Sequence, residues 1–334
     1  MRAIWVFCLL LSTLATAAPA AAVGRVAAPS SVQKSGSQAA GDKKAGSGAD
    51  SVWMISTRQV DCPCGSLPST AQLRFSRYEP SCGWQAADAD QWAQARGAEA
   101  MTLFYVHGNR IEAEEAPQRG LAAYRALLRT RPAVPAIRFV VWSWPSSKIS
   151  RPRPRLDAQV KAARTDCESY LLANFLQGLE PDTQLCLLGY SFGARIVSGA
   201  LQLSGGGTLG RFHLADVGVR PASPARVVLY AAALDNTWWF PGGYHDLAVS
   251  QVERMLLLYN TADPVLRLYP RLDPRSPTAA LGYTGLLRPA RLGQDAERLE
   301  QANARCQIGK THDEQAYFAS ETLMRRVRET LFDL

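Results

Sequence analysis

The sequence lacks an apolar run long enough to cross a bilayer, and it lacks an internal repeat. It contains only four histidines and no signature of a nucleic-acid-binding fold. The formal net charge of +8 favours contact with anionic surfaces, but charge alone does not indicate nucleic-acid binding. These absences argue against a membrane-spanning protein, a repeat protein and a nucleic-acid-binding protein.

The first 22 residues have the pattern of a secretory signal peptide. Met1 and Arg2 form a charged start, residues 3–14 are apolar, and small residues with an Ala-x-Ala pattern follow up to residue 22. We therefore expect an exported protein, periplasmic or secreted; an uncleaved N-terminal anchor is the alternative. Residues 23–50 contain no aromatic residue and are rich in Ala, Gly, Ser and Lys, which predicts a disordered linker. Residues 51–334 are long enough for one α/β domain.

Six cysteines follow the predicted cleavage site, and an even number in an exported chain suggests disulfides. Cys62, Cys64 and Cys82 lie close together in a Pro/Gly-rich stretch, so we expect a disulfide within this group. Cys167 and Cys186 fall on a predicted helix and a predicted strand, where each is interpreted as a small buried hydrophobic residue. No metal site is expected, because the Cys-x-Cys pair lacks a clear fourth ligand.

An apolar run at residues 184–188 leads into the pattern Gly-x-Ser-x-Gly at residues 189–193. Small and apolar residues typical of a helix continue to residue 203. This order predicts a buried strand, a sharp turn and a helix, with Ser191 presented at the turn as a nucleophile. The flanking glycines are expected because a side chain at either position would collide with the neighbouring strand or helix. A glycine-rich turn that happens to contain a serine is the alternative interpretation.

Short apolar runs alternate with helical patterns along the rest of the chain. Predicted strands cover residues 52–57, 72–75, 102–106, 137–142, 185–188, 226–231 and 255–259, and helical spacing is clearest near residues 121–128, 160–178 and 320–331. This alternation predicts a doubly wound, mostly parallel sheet flanked by helices. In such sheets the ligand site lies at the carboxyl ends of the strands.

A serine nucleophile needs a base, and the base needs an acid that orients it. In the strand-turn-helix arrangement the order along the chain is serine, then acid, then histidine. His312 lies on a predicted loop before the last helix and fits this order best. Asp263 follows the strand at residues 255–259 and is the favoured acid, while Asp235 follows the preceding strand and is the alternative.

Attack on a carbonyl creates an oxyanion that needs fixed hydrogen-bond donors. One donor is expected to be the backbone N–H of Phe192, the residue after the nucleophile. The second is expected in the loop that begins at His107, where Gly108 permits close approach and Asn109 supplies its N–H. His107 itself is predicted to have a structural role, with its ring hydrogen-bonded to the backbone of this loop.

Residues that would contact the substrate are less well indicated. Trp142, Trp144 and Trp238 lie at or after the ends of predicted strands and are candidates for the cleft, although core packing is an equal interpretation. Residues 148–155 are strongly basic. A solvated loop stiffened by proline is the simplest interpretation; the alternative hypothesis is selection of anionic acyl substrates or contact with an anionic cell envelope.

The motifs at residues 107–109 and 189–193, with Asp263 and His312, resemble the α/β-hydrolase superfamily. The added Trp-Ser-Trp-Pro-Ser segment at residues 142–146 is similar to a poorly characterised bacterial esterase-like branch. The resemblance implies an α/β-hydrolase fold, a serine hydrolase with a Ser-Asp-His triad and no cofactor. The resemblance does not imply a substrate. From the candidate residues themselves we expect cleavage of a carboxylic ester or related acyl bond in a small-molecule or lipid-like substrate.

The chain departs from better-known lipases because it lacks a run of glycines after His107 and a clear long apolar lid. Two other functions fit the same sequence. One is an acyltransferase that uses the same triad, and the other is a non-catalytic, envelope-associated binding protein that keeps the fold.

Overall fold

The structure is a computed structural model that describes residues 49–62, 66–95, 101–130, 135–149, 153–180, 183–214, 224–272 and 278–333. The predicted signal peptide and nearly all of the predicted linker lie outside the described residues. Asp50, at the end of the predicted linker, accepts hydrogen bonds from the Tyr124 hydroxyl (2.8 Å) and the Ile137 amide (3.0 Å). This carboxylate therefore contacts the folded domain.

The described residues contain one nine-stranded sheet with the strand order β3-β2-β1-β5-β4-β6-β7-β8-β9. Its strands are β1 (Ser51–Ser56), β2 (Arg74–Glu79), β3 (Gly83–Ala87), β4 (Met101–Val106), β5 (Ile137–Ser143), β6 (Gln184–Tyr190), β7 (Ala225–Tyr230), β8 (Val252–Tyr259) and β9 (Leu299–Asn303). All neighbouring pairs from β1 to β9 along the sheet are parallel, whereas β2 pairs antiparallel with both β1 and β3. The carboxyl ends of eight strands, all except β2, therefore lie at one edge of the sheet.

Helices connect and flank these strands. The α-helices are α1 (Ala89–Gln94), α2 (Glu115–Leu128), α3 (Pro154–Gln177), α4 (Phe192–Ser204), α5 (Tyr269–Leu272), α6 (Leu281–Thr284), α7 (Arg305–Ile308), α8 (Glu314–Ala319) and α9 (Glu321–Phe332). In the part of the chain that the structure describes, 3₁₀ segments cover Thr70–Gln72, Val249–Gln251, Leu266–Leu268 and Pro289–Arg298. Among the described helices, none has both the length and the apolar character needed to cross a bilayer.

Neighbouring residues of β6 show that helices cover both faces of the sheet. Gly189 faces α4, since a Cβ added there would lie 2.7 Å from Ala194 Cα. Leu188, which points to the opposite face, lines a small space with Phe318 of α8 and Leu323 of α9. The predicted fold class, a doubly wound, mostly parallel sheet flanked by helices, is confirmed.

Two edge strands were missed by the sequence analysis. β3 (Gly-Trp-Gln-Ala-Ala) and β9 (Leu-Glu-Gln-Ala-Asn) are short and partly exposed, so neither presents the long apolar run by which the central strands were recognised. The predicted strand at residues 72–75 begins at Arg74 and continues to Glu79. The strand that precedes His107 was the third of the predicted strands. Because β3 comes before it in the structure, it is the fourth strand along the chain, β4.

The cysteine chemistry differs from the prediction. Cys62 forms a disulfide with Cys167 of α3, so interpreting Cys167 as a simple buried hydrophobic residue was wrong. A helical position facing the core looks the same in sequence whether its thiol is free or bonded. Cys82 is a free, exposed cysteine, and Cys64 lies outside the described residues. Cys186 is free and buried, as predicted, and burial raises its pKa to about 12.

Candidate active site

Ser191 occupies the sharp turn between β6 and α4. Its backbone has φ 54° and ψ −117°, a conformation that costs a non-glycine residue about 1–3 kcal/mol. Two backbone hydrogen bonds of 3.1 Å fix this geometry: the Ser191 amide donates to the Tyr230 carbonyl, and the Ala233 amide donates to the Ser191 carbonyl. The end of β7 thus holds the strained turn in place.

The two glycines of the motif are required by close packing. A Cβ at Gly189 would lie 2.7 Å from Ala194 Cα, and a Cβ at Gly193 would lie 2.0 Å from the Val106 carbonyl oxygen. Both neighbours are backbone atoms of other elements and cannot move aside cheaply. The predicted crowding on either side of Ser191 is confirmed.

Replacing Gly193 by alanine is therefore expected to destabilise the protein by about 3 kcal/mol or more, because the added methyl overlaps the backbone of β4. Urea denaturation monitored by tryptophan fluorescence measures this loss. Gly178→Ala is the matched control, since its Cβ would meet only the Phe175 carbonyl oxygen at 3.4 Å. Equal stabilities for the two variants would contradict the packing described here.

Three side chains form a continuous hydrogen-bonded series at the sheet edge. His312 Nε2 lies 3.2 Å from Ser191 Oγ, and His312 Nδ1 lies 2.6 Å from Asp263 Oδ2. Asp263 follows β8 and is fully buried. Its other oxygen, Oδ1, accepts the backbone N–H groups of Val265 and Leu266 at 2.9 Å each. Oδ1 of the carboxylate therefore accepts the hydrogen bonds of the turn after β8, while Oδ2 faces the imidazole of His312.

The loop that carries His312 is tied to the neighbouring strand ends. The Asn260 side-chain amide, directly after β8, donates to the carbonyls of Gly309 (2.9 Å) and Thr311 (3.1 Å). The Tyr190 hydroxyl, at the end of β6, donates to the His312 carbonyl. These bonds fix the loop backbone on both sides of the imidazole, which itself remains partly exposed to the cleft.

The alternative acid and another histidine have other contacts. Asp235 Oδ1 accepts the backbone N–H and the hydroxyl of Thr237 at 2.9 Å each, in the turn after β7. His245 is buried, with Nδ1 2.8 Å from Ser198 Oγ inside the α4 layer. It is the Asp263 carboxylate that contacts His312.

Phe192 and Asn109, whose backbone N–H groups are the expected oxyanion donors, line the same cleft as Ser191. Within the described part of the chain, neither the Phe192 nor the Asn109 backbone N–H donates a hydrogen bond. Phe192 begins α4, so its N–H lies at the positive end of a helix dipole. A Cβ at Gly108 would lie 3.2 Å from Ser191 Cβ, which shows how closely the loop with Asn109 approaches the serine.

His107 is a buried structural residue, in keeping with the prediction. Its Nδ1 lies 2.9 Å from the Gly108 carbonyl, and its Nε2 accepts the Trp144 backbone N–H at 3.3 Å. Burial lowers the pKa of His107 to about 3, so the ring is neutral at pH 7 with the proton on Nδ1. The ring thereby fixes the start of the loop that carries Asn109.

A cleft of about 360 Å³ opens above Ser191 and is mostly apolar. Its walls are formed by Asn109, Arg110, Ala158, Tyr190, Ser191, Phe192, Ala233, Pro264, Val265, Leu266, Leu268, Tyr269 and His312. The wall formed by residues 264–269 was not predicted from the sequence. An available signal was the apolar Val-Leu-x-Leu-Tyr pattern directly after the candidate acid.

The three tryptophans proposed for substrate contact do not line this cleft. Trp142 packs in the core with its ring 5.8 Å from that of Phe175, and Trp144 stacks on His107. Trp238 lies edge-on to His245, with ring centroids 4.6 Å apart. Trp142 belongs to β5 itself, and all three side chains are buried, which agrees with the core-packing interpretation of these residues.

Comparisons with known proteins add limited information. No protein-family model and no curated protein sequence matches the chain. An acetylxylan esterase structure is similar at 13% identity and a TM-score of 0.37, covering 70% of this chain and 100% of that one. Acyl-protein thioesterase 2 from Zea mays is similar at 16% identity and a TM-score of 0.35, covering 71% of this chain and 96% of that one. Esterase B from Lactobacillus rhamnosis is similar at 13% identity and a TM-score of 0.32, covering 79% of this chain and 84% of that one. These low values leave the function to be inferred from the site itself.

Proposed function

We propose that this protein is a serine hydrolase that cleaves a carboxylic ester or a related acyl bond. The observation that carries the proposal is the hydrogen-bonded series from Ser191 through His312 to Asp263, with the serine on a strained turn beneath an apolar cleft. A neutral imidazole can accept the serine proton at Nε2 when Nδ1 carries the proton facing a carboxylate. The contacts of His312 with Ser191 and Asp263 fit this tautomer.

In the proposed reaction, Ser191 Oγ attacks the acyl carbon while its proton passes to His312 Nε2. The resulting oxyanion accepts hydrogen bonds from the backbone N–H groups of Phe192 and Asn109. The tetrahedral intermediate collapses, the alcohol leaves with the proton from His312, and an acyl-enzyme remains. Water then attacks the acyl-enzyme with His312 as base, which releases the acid and restores the serine.

The walls of the cleft favour an uncharged acyl group. Phe192, Leu266 and Tyr269 are buried residues that present largely apolar surface next to the serine. The Arg110 guanidinium at the cleft forms an ion pair with Asp157, 3.1 Å away, so its charge is partly neutralised. We propose a small-molecule or lipid-like ester as substrate. The Cys62–Cys167 disulfide is consistent with an exported location.

A panel of p-nitrophenyl esters from acetate to laurate tests the proposed activity. We expect hydrolysis with kcat/KM that rises with acyl length and then falls once the chain exceeds the cleft. An absence of hydrolysis across the panel would favour a non-catalytic binding protein. Adding an alcohol distinguishes the acyltransferase, for which transfer to the alcohol would exceed release of the free acid.

The basic segment at residues 148–155 supplies a separate prediction about substrate charge. Lys148, Arg153 and Arg155 are exposed around the start of α3, whose Ala158 lines the cleft. Replacing these three residues by glutamine is expected to raise KM severalfold for esters with an anionic group, while neutral esters are unaffected. Steady-state kinetics at low ionic strength measure this. An equal response of both ester classes would contradict a role in substrate selection.

A further inference from the structure

A buried carboxyl group lies immediately beneath the loop that carries His312. Glu314, the first residue of α8, has 1% of its surface exposed. Its Oε1 accepts hydrogen bonds from the hydroxyls of Tyr105 (2.8 Å) and Tyr230 (2.7 Å). Its Oε2 lies 3.7 Å from the Arg119 guanidinium on α2 and accepts no hydrogen bond from the described residues.

The two tyrosines connect this carboxyl to the same sheet edge that presents Ser191. Tyr105 lies near the end of β4, and Tyr230 is the last residue of β7. Between them in the sheet, Tyr190 ends β6 and pairs in register with Tyr230. The Tyr190 and Tyr230 rings are stacked with centroids 5.2 Å apart, and the Tyr190 hydroxyl donates to the His312 carbonyl. Three adjacent strands thus hold the short segment from His312 to Glu314.

The chemistry of this cluster favours a role in fixing geometry. Burying a carboxyl is costly, and burial raises the pKa of Glu314 to about 7 despite the two tyrosine hydrogen bonds that lower it. Burial and the nearby Glu314 raise the pKa of Tyr105 and Tyr230 well above the usual value, so both remain O–H donors. An apolar residue would fill the same space, but it could not fix the orientation of the side chain and its backbone, as the two hydrogen bonds to Glu314 Oε1 do.

We propose that Glu314 is a positioning residue for the catalytic histidine: by anchoring the residue two after His312 to the ends of β4 and β7, it sets the imidazole at hydrogen-bond distance from both Ser191 and Asp263. This role rests on the proposed hydrolase function. Glu314 is not among the residues that line the cleft, and its carboxyl is hydrogen-bonded to Tyr105 and Tyr230, so it acts through the His312 loop.

Glu314→Leu tests this role, with Glu314→Gln as the conservative variant that keeps an acceptor for both tyrosines. We expect Glu314→Leu to lower kcat for an ester about 10²-fold with KM changed less than twofold, because a misplaced base slows chemistry more than binding. Glu314→Gln is expected to restore kcat to within a few fold of the wild type. If Glu314→Leu does not fold, Tyr105→Phe and Tyr230→Phe each remove one donor and are expected to lower kcat severalfold.

Glu168→Leu is the matched control, because it removes another buried glutamate that lies away from the cleft. Glu168 accepts hydrogen bonds from Thr57 (2.7 Å) and Arg164 (2.8 Å), and its loss is expected to lower stability with kcat unchanged. Full kcat in folded Glu314→Leu, or in both tyrosine variants, would overturn the proposal. So would equal losses of kcat in Glu314→Leu and Glu168→Leu, or a failure of glutamine to rescue.

A measurement without turnover separates this proposal from the proposed function. The proton between His312 Nδ1 and Asp263 is expected to give a low-field ¹H NMR resonance, because the two heavy atoms are 2.6 Å apart. This resonance should be retained in Glu314→Gln and Glu168→Leu but lost or shifted in Glu314→Leu, even if no ester is hydrolysed. An unchanged resonance in Glu314→Leu would overturn the positioning role and leave the hydrolase proposal standing.

Discussion

Replacing Ser191 by alanine is expected to lower kcat for ester hydrolysis by on the order of 10⁶-fold, because the covalent intermediate can no longer form. The hydroxyl is the only group lost, and alanine tolerates the φ of 54° no better and no worse than serine. The melting temperature is therefore expected to stay within about 2 °C of the wild type. Steady-state kinetics and differential scanning fluorimetry on the same preparation measure both quantities.

Ser198→Ala is the control for this experiment. Ser198 is also paired with a histidine, since its Oγ lies 2.8 Å from His245 Nδ1 and accepts the Trp239 indole N–H at 2.8 Å. It is fully buried, so its loss should cost stability and leave the nucleophile intact. Strong loss of activity in Ser198→Ala, with activity retained in Ser191→Ala, would place the nucleophile elsewhere.

Replacing Asp263 by asparagine is expected to lower kcat by on the order of 10⁴-fold while the fold is retained. The asparagine oxygen can still accept the backbone N–H groups of Val265 and Leu266, which bond Asp263 Oδ1 at 2.9 Å. The side-chain NH₂ would then face His312 Nδ1 and favour the tautomer that carries the proton on Nε2. That tautomer cannot accept the proton of Ser191, so kcat falls while the turn from residue 263 to residue 266 is retained.

Asp235→Asn distinguishes the two candidate acids. The carboxylate of Asp235 caps the turn after β7 through its bonds to Thr237, so this substitution is expected to reduce kcat less than tenfold. Kinetics with one p-nitrophenyl ester at a fixed pH compare the two variants directly. A larger loss in Asp235→Asn than in Asp263→Asn would reverse the assignment of the acid.

The sequence was most informative where a residue's chemistry and its position along the chain indicated the same role. The pattern at residues 189–193 predicted a crowded turn, and the structure shows why each glycine is needed. Asp263 could be proposed because it follows a strand that ends at the sheet edge of Ser191, and His312 because it completes the order serine, acid, histidine along the chain. Alternation of apolar runs predicted the central strands, since strands buried on both faces have a strong apolar signal.

Features that depend on distant contacts could not be predicted in the same way. β3 and β9 are edge strands whose half-exposed residues give no apolar run, and Cys167 could be paired with Cys62 only in three dimensions. The direction of a side chain at a strand end was also undetermined, so the cleft and the core were equal interpretations for Trp142, which packs in the core. Glu314 stood in an ordinary helix start and gave no sign of burial.

The central claim is that the Ser191 hydroxyl is an activated nucleophile, and covalent labelling tests it most directly. The wild-type protein, incubated with a fluorophosphonate, is expected to gain the mass of one phosphonyl group, with peptide mapping locating the adduct on Ser191. Ser191→Ala is expected to remain unlabelled under the same conditions. A wild-type protein that stays unmodified, or an adduct on another residue, would contradict the account.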